Sequence, residues 1–289
     1  MYWKALSIDK EIKDYLAGGR AAGSTLAVFN SAVYLKTDGG SIIVVGRADI
    51  GNGPGFILLD RDCSLKSGRP AFYPDERFET GGGIVRVGGE RIVIEVGQAS
   101  GWDPAFVPQG MYRPAEMGVS MGAVRRMVEA RGRGGLVPMV LEKVRVLADA
   151  LAKDCELEVR LATRSLIGLG EGLTPSCDDL LVGLVGFMYG MSNDSSLGAY
   201  AKRTIVSLGG ELASTEWRTT PIAAHFLAEA GRGRFTERVK NMLEAIFAAD
   251  EKRMERASSR LIEYGSTSGI DLMCGMVLGY EVVKIVHSP

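Results

Sequence analysis

Apolar positions along the chain change their rhythm once. Between Ser24 and about residue 97 they come in short, β-branched runs cut by turn residues, and from Met117 onward they return at helical spacing. Thr25–Lys36 alternates imperfectly and ends at Thr37-Asp38-Gly39-Gly40, a strong turn signal. Ser41–Gly46 and Phe56–Asp60 are further runs, the second reached through Gly51-Asn52-Gly53-Pro54-Gly55, which reads as a wide turn or as a rim that touches ligand. Ile84–Val87 and Arg91–Val96 flank Gly88-Gly89, the composition of a two-residue hairpin turn. Residues 24–97 therefore predict an antiparallel β region of five or more strands. Ile8–Leu16 predicts a short helix before it, stopped by Gly18-Gly19.

Trp102-Asp103-Pro104 and Pro108–Pro114 form an irregular connection, and helices follow. Met117–Arg131 and Leu157–Leu166 are two. Pro138–Leu151 is a third, with Val140, Leu141, Val144, Leu147 and Ala148 on one face. Further helices are expected near 178–191, 196–213, 221–230, 235–248, 251–264 and 270–286. The fold class that follows is α+β: an antiparallel β-rich domain over residues 1–112, then a mainly helical domain over 113–289.

Residues 168–190, GLGEGLTPSCDDLLVGLVGFMYG, combine the most unusual choices. Gly168, Gly170 and Gly172 make a loop that can bring backbone close to a ligand. Thr174-Pro175-Ser176 is helix-start chemistry. Asp178 and Asp179 fall in the first turn, where carboxylates complement the helix dipole. Leu180 to Met191 is apolar nearly all round, which predicts a buried helix. A glycine loop at a helix N-terminus can hold an anion. Two carboxylates there would repel a bare phosphate, so the candidates are a magnesium ion held by Asp178 and Asp179, or a substrate amide, amine or hydroxyl. The plain structural alternative is a well-capped helix, Ser176 capping and Asp179 closing a capping box. No Gly-Lys-Ser/Thr follows the glycines, so this is no P-loop.

Residues 265–279, GSTSGIDLMCGMVLG, echo that stretch. With Ser268 laid on Ser176, Asp271 falls on Asp179, Leu272 on Leu180 and Gly275 on Gly183. Small residues would let the two helices pack closely, and their starts would converge on one site. A third helix start lies at Thr219-Thr220-Pro221, with Thr220 as cap. His225 follows it, and a lone histidine is more often structural than catalytic. The candidate catalytic residues are Asp178, Asp179 and Asp271. The candidate substrate-binding residues are Gly170, Gly172, Leu173, Thr174, Pro175, Ser176, Thr219, Thr220, Ser268 and Gly269.

Composition narrows the picture. The chain of 289 residues is 46% hydrophobic and 24% charged, enough for a sizeable core. Thirty-four basic against thirty-five acidic residues leave a net charge of −1, with no electrostatic case for nucleic acid or an anionic membrane. Arg125-Arg126 and Arg131-Gly132-Arg133 read as solvated turns. Cys63, Cys155, Cys177 and Cys274 are widely spaced and read as reduced thiols, which with the absence of a signal-peptide core gives a cytoplasmic expectation. Cys177 sits at a helix start that would stabilise a thiolate.

The pieces GLGEGLTPSCDDLLVG, TTPIAAHFLAEAG and GSTSGIDLMCG occur in this order in a family long labelled only as a domain of unknown function. Its bacterial members include the AllH-like subunit of oxamate carbamoyltransferase from anaerobic allantoin breakdown. GSTLAVFNSAVYL, GNGPGFILL and Gly101-Trp102-Asp103 also resemble that family, so the resemblance covers roughly residues 20–282. The family pattern has glycine where this chain has Cys177, and usually a serine near Ala223. The resemblance implies a carbamoyl group moved between oxamate and phosphate by way of carbamoyl phosphate and oxalurate, in a complex of several subunits. Glycine backbone N–H groups would then hold the anion, Thr174, Ser176 and Ser268 would orient the substrate, and the aspartates would bind its amide or a cation. Two other readings stand beside it: a magnesium-dependent phosphate-ester or nucleotide hydrolase, and a non-catalytic ligand-binding subunit. The notched apolar helices fit either a buried centre or a homo-oligomer interface.

Overall fold

The computed structural model describes residues 1–60, 65, 71–108, 114–132, 138–215, 217–263 and 265–287. The chain forms two compact units, Met1–Pro104 and Ala105–Pro289. The division expected between residues 112 and 113 lies outside the described residues.

Among the described residues the first unit has nine strands and one α-helix: β1 (Tyr2–Asp9), α1 (Lys10–Gly18), β2 (Ala22–Val28), β3 (Ala32–Thr37), β4 (Ile42–Arg47), β5 (Phe56–Leu59), β6 (Arg77–Gly81), β7 (Ile84–Val87), β8 (Ile92–Glu95) and β9 (Ser100–Trp102). They hydrogen-bond in the order β5-β4-β3-β2-β6-β7-β8-β1-β9, and β5 also pairs with β1, so the sheet closes on itself. Closure leaves fewer free strand edges. Pairs of residues two apart, Val33 and Leu35, Ile43 and Val45, Ile57 and Leu59, Val85 and Val87, Ile92 and Ile94, put their side chains into one core.

Three details differ from the sequence expectation. The sheet is mixed, because β1 runs parallel to β8 and β9, and β4 runs parallel to β5. Ile8 belongs to β1, and the helix starts only at Lys10, where Asp9 caps it by accepting from the Glu11 N–H at 2.9 Å. Asp9 also accepts from the Gly55 N–H at 2.6 Å, and Ser7 donates to Asn52 at 2.5 Å, so the Gly51–Gly55 loop is tied to β1. Finally, the tight two-residue turn is Gly82-Gly83, both at positive φ, between β6 and β7, while the β7–β8 turn runs four residues from Gly88 to Arg91.

Among the described residues the regular elements of the second unit are helices: α2 (Pro114–Arg131), α3 (Pro138–Ala152), α4 (Glu156–Leu166), α5 (Ser176–Met191), α6 (Gly198–Leu212), α7 (Pro221–Gly231), α8 (Glu237–Phe247), α9 (Glu251–Ile262) and α10 (Ser268–His287). The α+β reading holds. No helix among the described residues is long and apolar enough to cross a membrane.

Helix α5 is buried on every face, Tyr189 alone being partly exposed, and its closest partner is α10. Their packing is reciprocal. A Cβ on Gly183 would lie 2.0 Å from the Leu272 carbonyl oxygen, and one on Gly275 would lie 1.9 Å from that of Leu180. These four residues are the ones the sequence echo pairs. The starts match as well: the Pro175 carbonyl accepts from Asp178 and Asp179, and the Thr267 carbonyl accepts from Ile270 and Asp271. Thr174 and Ser268 share a hydrogen bond of 2.9 Å, so both helices begin at the same end. The notched helices thus form the buried centre of this unit.

Candidate functional site

Helix α4 ends at Leu166, and the chain reaches α5 through Gly168, Gly170 and Gly172 at φ of 81°, 120° and 93°. These are left-handed values that side chains rarely adopt. Gly168 is also pressed against the segment before α7, where a Cβ would meet the Arg218 carbonyl oxygen at 2.1 Å. Gly170 lies over the α5 start, a Cβ there falling 2.4 Å from the Ser176 nitrogen.

The α5 start departs from the expected cap. Pro175 is the N-cap, no side chain caps the helix, and Ser176 is its first residue. No capping box forms, because Asp179 lies one position beyond N3. The loop closes the helix end instead: Cys177 N–H bonds to the Leu169 carbonyl at 3.0 Å, and those of Asp178 and Asp179 bond to Pro175. The backbone N–H groups of Cys177, Asp178 and Asp179 are therefore used by the protein itself.

Asp178, 2% exposed, is engaged at both oxygens. One accepts from the Gly168 N–H at 2.8 Å, the other from the Thr219 hydroxyl in a short hydrogen bond. Burial pushes its pKa up to about 6, and the two donors only partly offset that. Beside it, the Thr220 hydroxyl donates to the Leu173 carbonyl and accepts from the Ala223 N–H at 3.1 Å, capping α7 as the sequence predicts. Asp178, Thr219 and Thr220 thus hold both ends of the glycine loop.

Asp179 is different. It is 7% exposed, and its Oδ2 is buried with no hydrogen-bond partner. Burial raises its pKa well above the ordinary value. The Ser268 and Thr174 hydroxyls pull it down, and the charges of Asp271 and Asp178 add to the rise. Asp271 is fully buried in the first turn of α10. The α5 and α10 starts therefore bring together Thr174, Asp179, Ser268 and Asp271, with Asp178 and Thr219 immediately behind. The remaining expected residues have simpler places. Ser176 is buried under Gly170. Pro175 is the N-cap of α5. Gly269 packs against the Leu261 carbonyl, 1.9 Å from where a Cβ would sit, while Gly172 and Leu173 lie at the exposed crest of the loop.

Cys177 is buried and does not form the thiolate that a helix start alone would favour. Burial, and then the charges of Asp178 and Asp271, push its thiol up to about 12. Among the described residues no three His, Cys, Asp or Glu side chains are grouped to hold a metal ion. His225 lies on α7, its ring against Phe226.

Sequence reasoning passed over the segment before Thr219. Trp217 is 68% exposed and has two guanidiniums near its ring, that of Arg218 at 4.2 Å and that of Arg164 at 5.8 Å from the ring centre. Arg218 donates to the Arg164 carbonyl at 2.6 Å. The signal was an aromatic-cation dipeptide directly before a Thr-Thr-Pro helix start.

Residues 166–280 match the family described as oxamate carbamoyltransferase subunit AllH. The match opens on the last residue of α4 and closes near the middle of α10, so it contains the whole cluster described above. The resemblance expected over the glycine loop, the Thr-Thr-Pro helix and α10 is thereby borne out for that segment. No solved structure matches the chain.

Proposed function

We propose that this chain is a subunit of a carbamoyl-transfer enzyme and that the paired starts of α5 and α10 bind the carbamoyl-bearing substrate. The observation that carries the reading is Asp179 Oδ2, a buried acceptor with no hydrogen-bond partner. A buried polar atom left unpaired costs about 1–3 kcal/mol, so such an atom at a helix start asks for a donor from outside. A carbamoyl NH2 supplies it. The hydroxyls of Thr174 and Ser268, 2.9 Å apart beside Asp179, bond to its carboxylate and fix the oxygen that receives the carbamoyl NH2. The AllH match over this segment supports a transferase subunit, and other subunits of such an enzyme are then the expected partners.

Asp178 takes a positioning role in this reading, since both its oxygens already hold the loop. The magnesium-dependent hydrolase alternative would have only Asp179 to offer from this carboxylate pair.

The test is calorimetric titration of the full chain with oxamate, carbamoyl phosphate, oxalurate and a nucleotide, with and without magnesium. Metal-independent binding of a carbamoyl compound, weakened at least about tenfold in Asp179→Asn, is expected, because an Asn NH2 facing a ligand NH2 leaves two donors without an acceptor. Binding of nucleotide alone, and only with magnesium, would refute the transferase reading.

A further inference from the structure

Asp179 Oδ2 has company. Thr215 Oγ1 and Arg218 Nε are also buried without a hydrogen-bond partner. All three belong to one connected structure. The Thr215 carbonyl accepts from the Arg218 N–H at 2.8 Å and from the Thr219 N–H at 3.2 Å. Thr219 bonds to Asp178, the neighbour of Asp179. The Arg218 carbonyl packs directly on Gly168. The turn 215–219 is thus bound to the base of the glycine loop.

Among the described residues Arg218 forms no ion pair, whereas Arg160 and Arg164 share Glu211. Among the described residues its side chain makes one hydrogen bond, to the Arg164 carbonyl, and lies over the Trp217 ring. The bond to that carbonyl, in the last turn of α4, explains one of five N–H donors. It leaves Nε, the donor nearest the backbone, buried and unused. A guanidinium is the side chain best shaped to grip a carboxylate or phosphate through two parallel N–H groups. The backbone N–H groups of Cys177, Asp178 and Asp179 are already bonded within the protein, which leaves the guanidinium the stronger candidate for an anion.

We propose that Arg218 is the specificity-determining residue for the anionic end of the ligand, so that the site takes a small planar molecule with a carboxylate or phosphate at one end and an amide at the other. This rests on the reading of Asp179 given above. Trp217 backs the guanidinium, whose carbon lies 4.2 Å from the ring centre, and the unpartnered Thr215 hydroxyl belongs to the same turn.

The experiment compares two neutral-to-anionic probes on the full chain. Oxamate carries a carboxylate and an amide, while oxamide carries two amides. Wild type should prefer oxamate. Arg218→Gln should lose roughly 10- to 100-fold in oxamate affinity and keep its oxamide affinity, the loss expected for one hydrogen-bonded charge. Arg218→Lys, a point charge without the fork, should fall between. Asp179→Asn should weaken both probes. Equal oxamate binding by wild type and Arg218→Gln, with Asp179→Asn impaired, would overturn the Arg218 assignment and leave the site reading intact. Unchanged binding in Asp179→Asn, or no binding of either probe to wild type, would overturn the site reading itself. If Arg218→Gln does not fold, Arg218→Lys decides, and wild-type preference for oxamate in that variant overturns the proposal.

Discussion

Replacing Asp178 by Asn should make the helical unit more stable at neutral pH. The side chain is a buried carboxyl whose pKa stands at about 6 in the folded chain against an ordinary 3.8. Between those values the folded state holds a proton that the unfolded state has released, so stability falls as pH rises. The contribution is complete below about pH 4 and lost once the pH passes about 6. A rise of about two units corresponds to about 3 kcal/mol, of which about 2 kcal/mol disappears between pH 4.5 and pH 7. Asn preserves both tethers, its oxygen accepting from Gly168 and its NH2 donating to the Thr219 hydroxyl, and it has no proton to lose. Urea unfolding followed by helical circular dichroism at pH 4.5 and 7 gives the quantity directly. The gain from Asp178→Asn should be about 2 kcal/mol larger at pH 7 than at pH 4.5. The same gain at both pH values, or a variant less stable at pH 7 than at pH 4.5 relative to wild type, would refute the account of Asp178 as a buried, desolvated strut.

Gly275→Ala and Gly183→Ala each place a methyl about 2 Å from a carbonyl oxygen of the facing helix and should cost more than about 3 kcal/mol, whereas Gly210→Ala on α6 meets nothing and should be neutral or stabilising by up to about 1 kcal/mol; thermal melts separate them. Thr219→Val removes a donor to Asp178 and should cost about 1–3 kcal/mol and speed amide exchange at Gly168, while Thr219→Ser should restore both. Native protein treated with a thiol reagent should label the partly exposed Cys155 and Cys274 well before the buried Cys177, which mass spectrometry of the peptides reads out.

How much of this was legible in the sequence depends on whether a residue's role is local. Helix spans came through because their apolar period is set by the residues themselves, and the echo of Ser176–Gly183 in Ser268–Gly275 anticipated a packing that the glycines enforce. Strand β1 did not come through: its exposed Tyr2 and Leu6 blur the alternation, and its parallel partners lie far along the chain. The candidate carboxylates were visible as a group but not as individuals. Nothing in Asp178-Asp179 says that the first is used up on Gly168 and Thr219 while the second keeps an oxygen unbonded, because that distinction is made by a loop ten residues before and a turn forty residues after. Arg218 was missed for the same reason, its neighbours Gly168 and Arg164 being about fifty residues away.

The reciprocal seating of α5 and α10 also sets a timetable for the chain. The glycine-notched face of α5 is made well before its match, since nearly a hundred residues separate Leu180 from Gly275. Until Ser268–His287 arrives, the helix that ends up buried on every face has an open flank. Contacts of such long span are slow to form and leave intermediates prone to stick to one another. A nascent or truncated chain lacking α10 should therefore be a client for chaperones, and α10 the element whose docking closes the core around α5.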